Sequence, residues 1–362
     1  MNKFKTLLIA GIALTTLFSG CSVKDSSKEK SGNDSQNVAA LNEKELNIYT
    51  ALEDEQVASY LESFRQAHPD VLLNITREST GIITSKLLAE KDNPRADVIW
   101  GVSATSLLVL KSENMLRGYA PKGVERVLET FKDISSEAPK WVGIDAWETA
   151  FLVNKDVLAS HGVKTVPETY EDLLKKEYKG LIAMSDPGSS GTGLLTVNGI
   201  LSLYGEEKGW EYLKKLDENV AVYLHSGSAP AKQAAAGEYG IGVSSGYRCI
   251  KSAADIGDNG AYVFPKEGSG YDIEANALVA RKEGEKNIAK EFLDWAIADE
   301  QMKLYATFGY PMISTGATDV MPEGYSKNAV DQLLKIDFDW CAMNRERILE
   351  KWTNMFSAKT AK

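Results

Sequence analysis

Short apolar segments of strand length alternate with segments of helical periodicity along most of this 362-residue chain. In its first part the predicted elements are strands at 46–49, 71–75 and 98–100 and helices at 53–67, 82–90 and 104–111. This alternation predicts an α/β fold in which helices flank an open, mostly parallel sheet. Ligands of such sheets bind beyond the carboxyl ends of the strands, so the loops after the strands are the candidate site.

The same alternation resumes after a predicted crossover strand at 149–154, and a second crossover strand is predicted at 273–280. Between them the predicted elements are strands at 181–184, 220–223, 240–243 and 261–264 and helices at 191–204, 206–217, 229–236 and from Tyr247. The chain is long for one hydrophobic core, which favours two lobes. The predicted boundaries are 44–147 with 274–320 for lobe 1, 148–273 for lobe 2, and 321–362 for C-terminal helices without a lobe assignment.

The N-terminal segment has the composition of an export signal. Two lysines precede an apolar run at 6–18, which is too short to favour a membrane span. The run ends in Leu-Phe-Ser-Gly-Cys21, which resembles the lipobox of bacterial lipoproteins, although an uncleaved anchor is an alternative. We therefore predict a signal peptide at 1–20, lipidation of Cys21, a flexible tether at 21–43, and anchoring on the outer face of the cytoplasmic membrane, at the cell surface or in the periplasm.

The charge and the rare residue types narrow the function. The formal net charge is −10, and it becomes −12 when residues 1–20 and their two lysines are removed. No basic stripe suited to nucleic acid is visible. The histidines His68, His161 and His225 are scattered without a metal-binding motif. Cys249 and Cys341 are either two buried thiols or one disulfide.

A glycine- and hydroxyl-rich segment joins the predicted strand 181–184 to the predicted helix 191–204. It reads Ser-Asp-Pro-Gly-Ser-Ser-Gly-Thr-Gly from Ser185 to Gly193. Free backbone N–H groups and the helix dipole at such a turn favour an anion, although the same residues also serve as ordinary helix caps. The candidate ligand contacts in this segment are Ser189, Ser190, Gly191, Thr192 and Gly193.

A second hydroxyl-rich helix start, formed by Ser79, Thr80 and Gly81, follows the predicted strand 71–75. Its position at the carboxyl end of a strand makes it a second candidate anion site. Other loops at strand ends add the candidate contacts Glu53, Asp54, Trp100, Ser103, Ser226 and Tyr247. Glu53 and Asp54 either match the dipole of a helix start or pair a ligand amine. Trp100 either lines the cleft or packs in the core.

Over residues 44–356 the chain resembles the solute-binding proteins of bacterial ABC transporters, in the ferric-iron, thiamine and phosphonate branch of the type II fold. The matching phrases lie at 46–50, 96–100, 186–193 and 237–243. Within that branch it is most similar to 2-aminoethylphosphonate-binding proteins, through the phrases at 78–82, 100–104 and 185–192. The resemblance implies a periplasmic-binding-protein-like fold with two crossover strands, a small anionic or zwitterionic ligand between the lobes, and an ABC permease as partner.

One departure from the branch bears on the ligand. The ferric-binding relatives carry adjacent tyrosines after the strand that corresponds to 241–243, whereas this chain has the single Tyr247. The resemblance therefore implies an organophosphonate, with ferric iron, thiamine or a phosphate ester as alternatives. A phosphate-ester hydrolase would use similar anion-binding loops, but the sequence has no GxSxG motif and no Ser–His pair by spacing. We predict a monomeric binding protein without enzymatic activity or cofactor.

Overall fold

The computed structural model describes residues 41–308, 312–315, 322, 324–325 and 329–362. The predicted signal peptide at 1–20, the predicted lipidation site Cys21 and nearly all of the predicted tether at 21–43 lie outside these residues. Within the described ranges, no helix has the length and apolar character needed to cross a membrane.

Strands and helices alternate through most of the described chain. The strands are β1 (Glu45–Thr50), β2 (Leu72–Arg77), β3 (Val98–Ser103), β4 (Leu116–Arg117), β5 (Val142–Asn154), β6 (Ile182–Ser185), β7 (Val220–Leu224), β8 (Ile241–Ser245), β9 (Gly260–Val263), β10 (Tyr271–Val279) and β11 (Met312–Ile313). The helices are α1 (Asp54–Tyr60), α2 (Glu62–Ala67), α3 (Thr80–Ala89), α4 (Ala104–Ser112), α5 (Lys155–Ser160), α6 (Gly191–Tyr204), α7 (Glu206–Asp217), α8 (Ala229–Ala235), α9 (Gly246–Ile256), α10 (Asn287–Ala296), α11 (Asp299–Phe308), α12 (Phe338–Met343) and α13 (Arg345–Phe356).

The main path of the sheet runs β2-β1-β3-β10-β5-β8-β6-β7. β1 is parallel to β2 and β3, and β6 is parallel to β7 and β8. Between these two parallel groups, β10 and β5 pair antiparallel with each other and with their outer neighbours. We call β2-β1-β3-β10 the first half and β8-β6-β7 the second half. The predicted α/β class, with helices flanking a mostly parallel sheet in each half, is confirmed.

The first crossover strand is longer than predicted. The sequence predicts a strand at 149–154, whereas β5 spans Val142–Asn154 and pairs with β10 through its first part and with β8 through its second. Every residue of β5 is buried, including Asp145 and Glu148. Asp145 and Glu148 interrupt the apolar run that a sequence-based strand prediction needs. The sequence therefore does not predict residues 142–148 as part of the strand.

Each half has its own hydrophobic core. In the first half, Trp100 and Phe292 meet edge to face, with ring centroids 5.5 Å apart. In the second half, Trp352 of α13 packs edge to face on Tyr223 of β7, with centroids 4.9 Å apart. The last helix therefore belongs to the core of the second half. The alternatives for the cysteines are resolved, because Cys249 and Cys341 are both buried free thiols.

Candidate functional site

A cavity of about 60 Å³ lies where loops of the two halves meet. It is bordered by Ala51, Glu53, Gln56, Arg77, Ser79, Thr80, Gly101, Trp147, Ser190, Gly191, Thr192, Gly227, Ser228, Ser245, Tyr247, Arg248 and Glu274. Most of these residues follow the carboxyl ends of parallel strands, the edge at which open α/β sheets place their ligands. We refer to this cavity as the cleft.

The two hydroxyl-rich helix starts face each other in the cleft. The backbone N–H of Gly81 donates to the carbonyl oxygen of Ser189 at 2.9 Å. A Cβ atom on Gly81 would lie 2.3 Å from the carbonyl oxygen of Gly188, and a Cβ on Gly191 would lie 2.8 Å from Oγ1 of Thr80. Glycine is therefore required at Gly81, where the two backbones approach too closely for a side chain, whereas at Gly191 the close contact is with the side chain of Thr80.

The helix starts that border the cleft include those of the three longer helices α3, α6 and α9. Ser79 and Ser245 precede α3 and α9 in extended backbone conformation, and neither side chain makes a capping hydrogen bond. Ser190 precedes α6 and accepts from the backbone N–H of Gly193 at 3.2 Å. Unpaired N–H groups and the positive ends of three helix dipoles favour an anionic group at this point.

Arg77 supplies positive charge from the first half. It is the last residue of β2, and its Nε donates to the carbonyl oxygen of Leu52 at 2.9 Å. Its Nη2 lies 3.4 Å from Oε2 of Glu53, the residue that precedes α1 and forms a capping box with Gln56. The hydrogen bond to Leu52 holds the guanidinium group of Arg77 at the carboxyl end of β2, at the border of the cleft.

Arg248 supplies positive charge from the second half. It lies in the first turn of α9, and only 6% of its side chain is exposed. Its Nη2 donates to Oε1 of Glu55 at 2.7 Å, while its buried Nε has no hydrogen-bond partner among the described residues. A buried guanidinium N–H without an acceptor is costly, so this group suits an anionic ligand that completes its hydrogen bonds.

Ion pairs connect the two halves at the rim of the cleft. Glu55 on α1 accepts from Arg248 and, at 3.1 Å, from Lys251, both on α9. Lys232 on α8 lies 3.7 Å from Glu53. Burial alone would raise the pKa of Glu55, but the hydrogen bonds from Arg248 and Lys251 outweigh it and lower that pKa. Together with the Gly81–Ser189 bond, these pairs hold the halves in a closed arrangement.

Comparison with known families identifies the class of protein. The family model for bacterial extracellular solute-binding proteins matches residues 59–330. The chain belongs to this family. Its members are the ligand-binding components of ABC transporters, they act together with permeases, and they are exported to the periplasm or cell surface.

Individual relatives of this solute-binding protein are similar over most of their length. An uncharacterized protein of Haemophilus influenzae is 30% identical over 78% of this chain and 82% of its own. A probable ABC transporter periplasmic-binding protein of Sinorhizobium fredii is 25% identical over 78% of this chain and 76% of its own.

Solved structures confirm the two-lobed periplasmic-binding-protein fold. The periplasmic binding protein AfuA from Actinobacillus pleuropneumoniae, with fructose-6-phosphate bound, is 25% identical with a TM-score of 0.78, covering 86% of this chain and 98% of its own. The periplasmic binding protein P5PA is 26% identical with a TM-score of 0.77, covering 86% and 99%. Iron-bound HitA from Pseudomonas aeruginosa is 18% identical with a TM-score of 0.68, covering 84% and 99%, and shares the fold alone.

Ten of the predicted contact residues lie in or beside the cleft of this solute-binding protein. Those that border it are Glu53, Ser79, Thr80, Ser190, Gly191, Thr192 and Tyr247. Gly81, Ser189 and Gly193 belong to the same two helix starts, but their atoms are used in contacts within the protein. A Cβ on Gly193, for example, would lie 2.6 Å from the carbonyl oxygen of Ser185.

The structure corrects two predictions on β3. Trp100 is fully buried in the first core, and its Nε1 donates to the hydroxyl of Tyr305 at 3.3 Å. Since side chains alternate across a strand, Gly101 rather than Trp100 borders the cleft. Ser103 is also buried, because its Oγ accepts from the backbone N–H of Ser106 and caps α4.

Two further predictions are corrected at the rim. Asp54 has 90% of its side chain exposed and lies outside the residues that border the cleft, 4.0 Å from Arg77. Ser226 does not border the cleft either; its hydroxyl is hydrogen-bonded at 3.2 Å to that of Ser228, which does.

Residues that sequence reasoning missed include the charged groups of the cleft. Arg77 lies two positions before Ser79, and Arg248 follows Tyr247 directly, so adjacency to the predicted loops was the available signal. Glu274 lies on the second crossover strand, β10, and Trp147 lies in the part of β5 that the sequence did not predict as strand. Trp147 donates from Nε1 to Oγ1 of Thr192 at 3.3 Å. The other missed residues are Ala51, Gln56, Gly101, Gly227, Ser228 and Ser245.

Proposed function

We propose that this solute-binding protein captures a compact organophosphonate, 2-aminoethylphosphonate, in the cleft and delivers it to an ABC permease. The observation that carries this proposal is the meeting of Arg77 and Arg248, one from each half, with three helix N-termini around one small cavity. A phosphonate presents three oxygens that accept hydrogen bonds from guanidinium, hydroxyl and backbone N–H donors.

The donors in the cleft are sufficient for tight binding. A hydrogen bond to a charged group contributes about 1.5–3 kcal/mol. Three or four of them, after the costs of association and ordering, support a dissociation constant near ~1 μM. The hydroxyls of Ser79, Thr80 and Thr192 and the guanidinium of Arg248 are the groups to which we assign this role, because each borders the cavity.

Ligand binding would favour the closed arrangement. Each half contributes only part of the donor set, so an open form would leave the phosphonate half bound. We propose that the lobes that close on the ligand are residues 44–147 with 274–320 and residues 148–273. Residues 321–362 have no predicted lobe assignment. Helix α13, which lies among them, packs in the hydrophobic core of the second half. The permease would then recognise the closed form.

Phosphate esters are the second candidate ligand class. They are favoured by the relative AfuA, whose structure contains fructose-6-phosphate and which is 25% identical to this chain. The phosphoryl group of such an ester would use the same donors. We rank phosphate esters second because the phrases at 78–82, 100–104 and 185–192 resemble those of 2-aminoethylphosphonate-binding proteins. Ferric iron and thiamine remain weaker alternatives, since Tyr247 provides a single phenol and the thiamin-binding neighbour, at 18% identity, shares the fold alone.

We assign binding rather than catalysis to the cleft, because its residues are donors arranged around a cavity and the family consists of binding proteins. A phosphate-ester hydrolase is the rival from another class. We also propose that the protein is a monomer, exported by a signal peptide at 1–20 and anchored through lipidated Cys21. Mass spectrometry of the membrane-bound protein would test the anchor by detecting a diacylglyceryl group on an N-terminal Cys21.

A thermal-shift panel tests the ligand class. At about 100 times its dissociation constant, a ligand stabilises the protein by roughly 2.7 kcal/mol. We expect 2-aminoethylphosphonate to raise the melting temperature, and fructose-6-phosphate, thiamine and ferric citrate to have smaller effects. A shift with ferric citrate and none with the phosphonate would refute the proposed ligand class. Release of phosphate from an ester by the purified protein would favour the hydrolase.

A further inference from the structure

Two acidic residues of the crossover strands lie side by side at the cleft. Glu274 of β10 and Asp145 of β5 are directly opposite each other in the antiparallel register. Glu274 borders the cleft and is 8% exposed, whereas Asp145 is fully buried. Glu274 is thus the accessible member of a buried pair of carboxyl groups, and it comes from a strand that connects the two halves.

Among the described residues, no cation and no N–H or hydroxyl group donates to Asp145. Its hydrogen-bond partner is the carboxyl group of Glu274, and such a bond needs a proton on one of the two acids. The other titratable groups around the pair are Tyr60 on α1, Glu148 on β5, Tyr305 on α11, Tyr325, and Arg77 and Arg248 across the cleft.

Two adjacent carboxyl groups in such surroundings do not both ionise. Burial raises the pKa of Asp145, and the charge of Glu148 raises it further, although the hydrogen bond with Glu274 acts in the opposite direction. Such surroundings favour one proton shared by the two carboxyl groups over two adjacent negative charges. A cationic group that reaches Glu274 from the cleft could take the place of this proton and compensate the second negative charge.

The charges of the cleft have a polarity that fits a zwitterion. Two guanidinium groups favour an anionic head, and the acid pair favours a cationic tail. Glu53, the other acid at the cleft, is already within 3.4 Å of Arg77 and 3.7 Å of Lys232, and it caps α1. At Glu274, by contrast, two carboxyl groups lie together at the border of the cleft, so the negative potential that attracts a ligand amine is concentrated there.

We propose that Glu274 binds the ammonium group of the ligand and that this group displaces the proton shared with Asp145. This inference rests on the proposed function and extends it, because it defines the specificity for aminoalkyl over alkyl phosphonates. The ammonium group keeps its three protons, the carboxyl pair loses one proton to solvent, and both acids are ionised in the complex. Binding therefore releases up to one proton for each ligand.

The test compares 2-aminoethylphosphonate with n-propylphosphonate, in which a methyl group replaces the ammonium group. Titration calorimetry of the wild-type protein, Glu274→Gln and the exposed control Glu207→Gln would give six affinities. A charge-assisted hydrogen bond corresponds to about a 10- to 100-fold preference for the amine. We expect wild type and Glu207→Gln to show this preference and Glu274→Gln to lose it while still binding n-propylphosphonate.

The outcomes separate this inference from the proposed function. Equal affinities of wild type for the two phosphonates, or an undiminished preference in Glu274→Gln, would overturn the role of Glu274 and leave phosphonate binding intact. Failure of wild type to bind either compound would overturn the proposed function and this inference with it. Binding of n-propylphosphonate by Glu274→Gln shows that this variant is folded, so its loss of preference is specific.

Proton release is a second readout, and a purely structural role of the pair would not produce it. The binding enthalpy of 2-aminoethylphosphonate, measured at neutral pH in buffers of low and high ionisation enthalpy, gives the number of protons released. We expect a value between one half and one for wild type, and close to zero for Asp145→Asn, which removes the shared proton. An unchanged enthalpy across buffers for wild type would overturn the displacement.

Discussion

The backbone N–H of Gly81 donates to the carbonyl oxygen of Ser189 at 2.9 Å, although these residues start helices in different halves of the sheet. This single bond joins α3 to the loop before α6. It places Thr80 and Thr192 on the border of the same cavity. Closure of the cleft is therefore sensitive to any atom inserted at Gly81.

Gly81→Ala should prevent full closure. The new Cβ would lie 2.3 Å from the carbonyl oxygen of Gly188, and a backbone atom cannot move aside as a side chain can. We expect the affinity for the phosphonate to fall by about 5- to 150-fold, which corresponds to a cost of roughly 1–3 kcal/mol for overpacking. Titration calorimetry would measure this.

Two variants provide controls for this prediction. Gly191→Ala should have a smaller effect than Gly81→Ala, because its new Cβ would lie 2.8 and 2.9 Å from Oγ1 and Cβ of Thr80 rather than 2.3 Å from a backbone carbonyl oxygen. Ile82→Ala, at a position 40% exposed on the same helix, should bind normally. An unaltered affinity in Gly81→Ala would show that the closed contact is not used in binding.

Arg248→Lys should weaken binding by about 10- to 100-fold, because lysine lacks the planar fork that places two N–H groups on one anion. Arg77→Lys should act in the same direction, with a smaller loss because this side chain is 25% exposed. Arg347→Lys, on the surface and paired with Glu206, is the matched control and should bind as wild type. Wild-type affinity in both Arg77→Lys and Arg248→Lys would remove the electrostatic basis of the proposed site.

Glu55→Gln removes the acid that bridges to Arg248 and Lys251 across the rim. Arg248 is buried, but Glu55 and Lys251 are 43% and 44% exposed, so screening limits each pair to about 0.2–1 kcal/mol. We expect ligand affinity to fall less than tenfold, and the difference from wild type to shrink at high salt. Glu113→Gln, which removes a surface pair with Lys91, should leave affinity unchanged. A loss that persists in 1 M salt would show that the pairs do not act electrostatically.

The pH dependence of the ion pairs of Glu55 follows from the direction in which its pKa is shifted. The pKa of Glu55 is lowered in the folded, closed state, so its contribution is complete above the unfolded value of about 4.3. It is lost as the pH falls through the lower folded value. Affinity measured between pH 7 and pH 5 should show no decline caused by Glu55, because this whole range lies above both values.

Asp133→Asn should destabilise the first half without altering the cleft. Asp133 is 6% exposed, accepts from Nζ of Lys111 at 2.8 Å, and also accepts from the backbone N–H groups of Ser135 and Lys140. We expect a loss of about 1–3 kcal/mol in the free energy of unfolding by urea, because the buried donors lose a charged acceptor. Asp331→Asn, on an exposed side chain, is the control.

The carboxylate of Asp133 also makes the free energy of unfolding depend on pH. Hydrogen bonds from Lys111, Ser135 and Lys140 overcome the effect of burial and lower the pKa of Asp133 to about 2. Its stabilisation is complete above its unfolded pKa of about 3.9 and is lost as the pH falls towards 2. The stability difference between wild type and Asp133→Asn should therefore shrink across that window. A constant difference would contradict the assignment.

The sequence was sufficient for the two helix starts of the cleft, because glycine and hydroxyl residues directly after apolar strands carry a local signal. It was insufficient for Arg77, Arg248 and Glu274, since a charged residue at a strand end or inside a crossover strand has no such signal. Their importance arises from the pairing of β5 with β10 and from the approach of α9 to α1. Trp100 was misassigned because a sequence does not tell which face of β3 meets the core.

The most direct measurement is a calorimetric titration of the exported protein with 2-aminoethylphosphonate, followed by the same titration with Arg77→Gln and Arg248→Gln. The account predicts one ligand per chain at a dissociation constant near ~1 μM for wild type, with weaker binding in each variant because each half contributes a cation to one phosphonate. Saturable binding that both variants retain unchanged, or no binding by wild type at millimolar ligand, would contradict it.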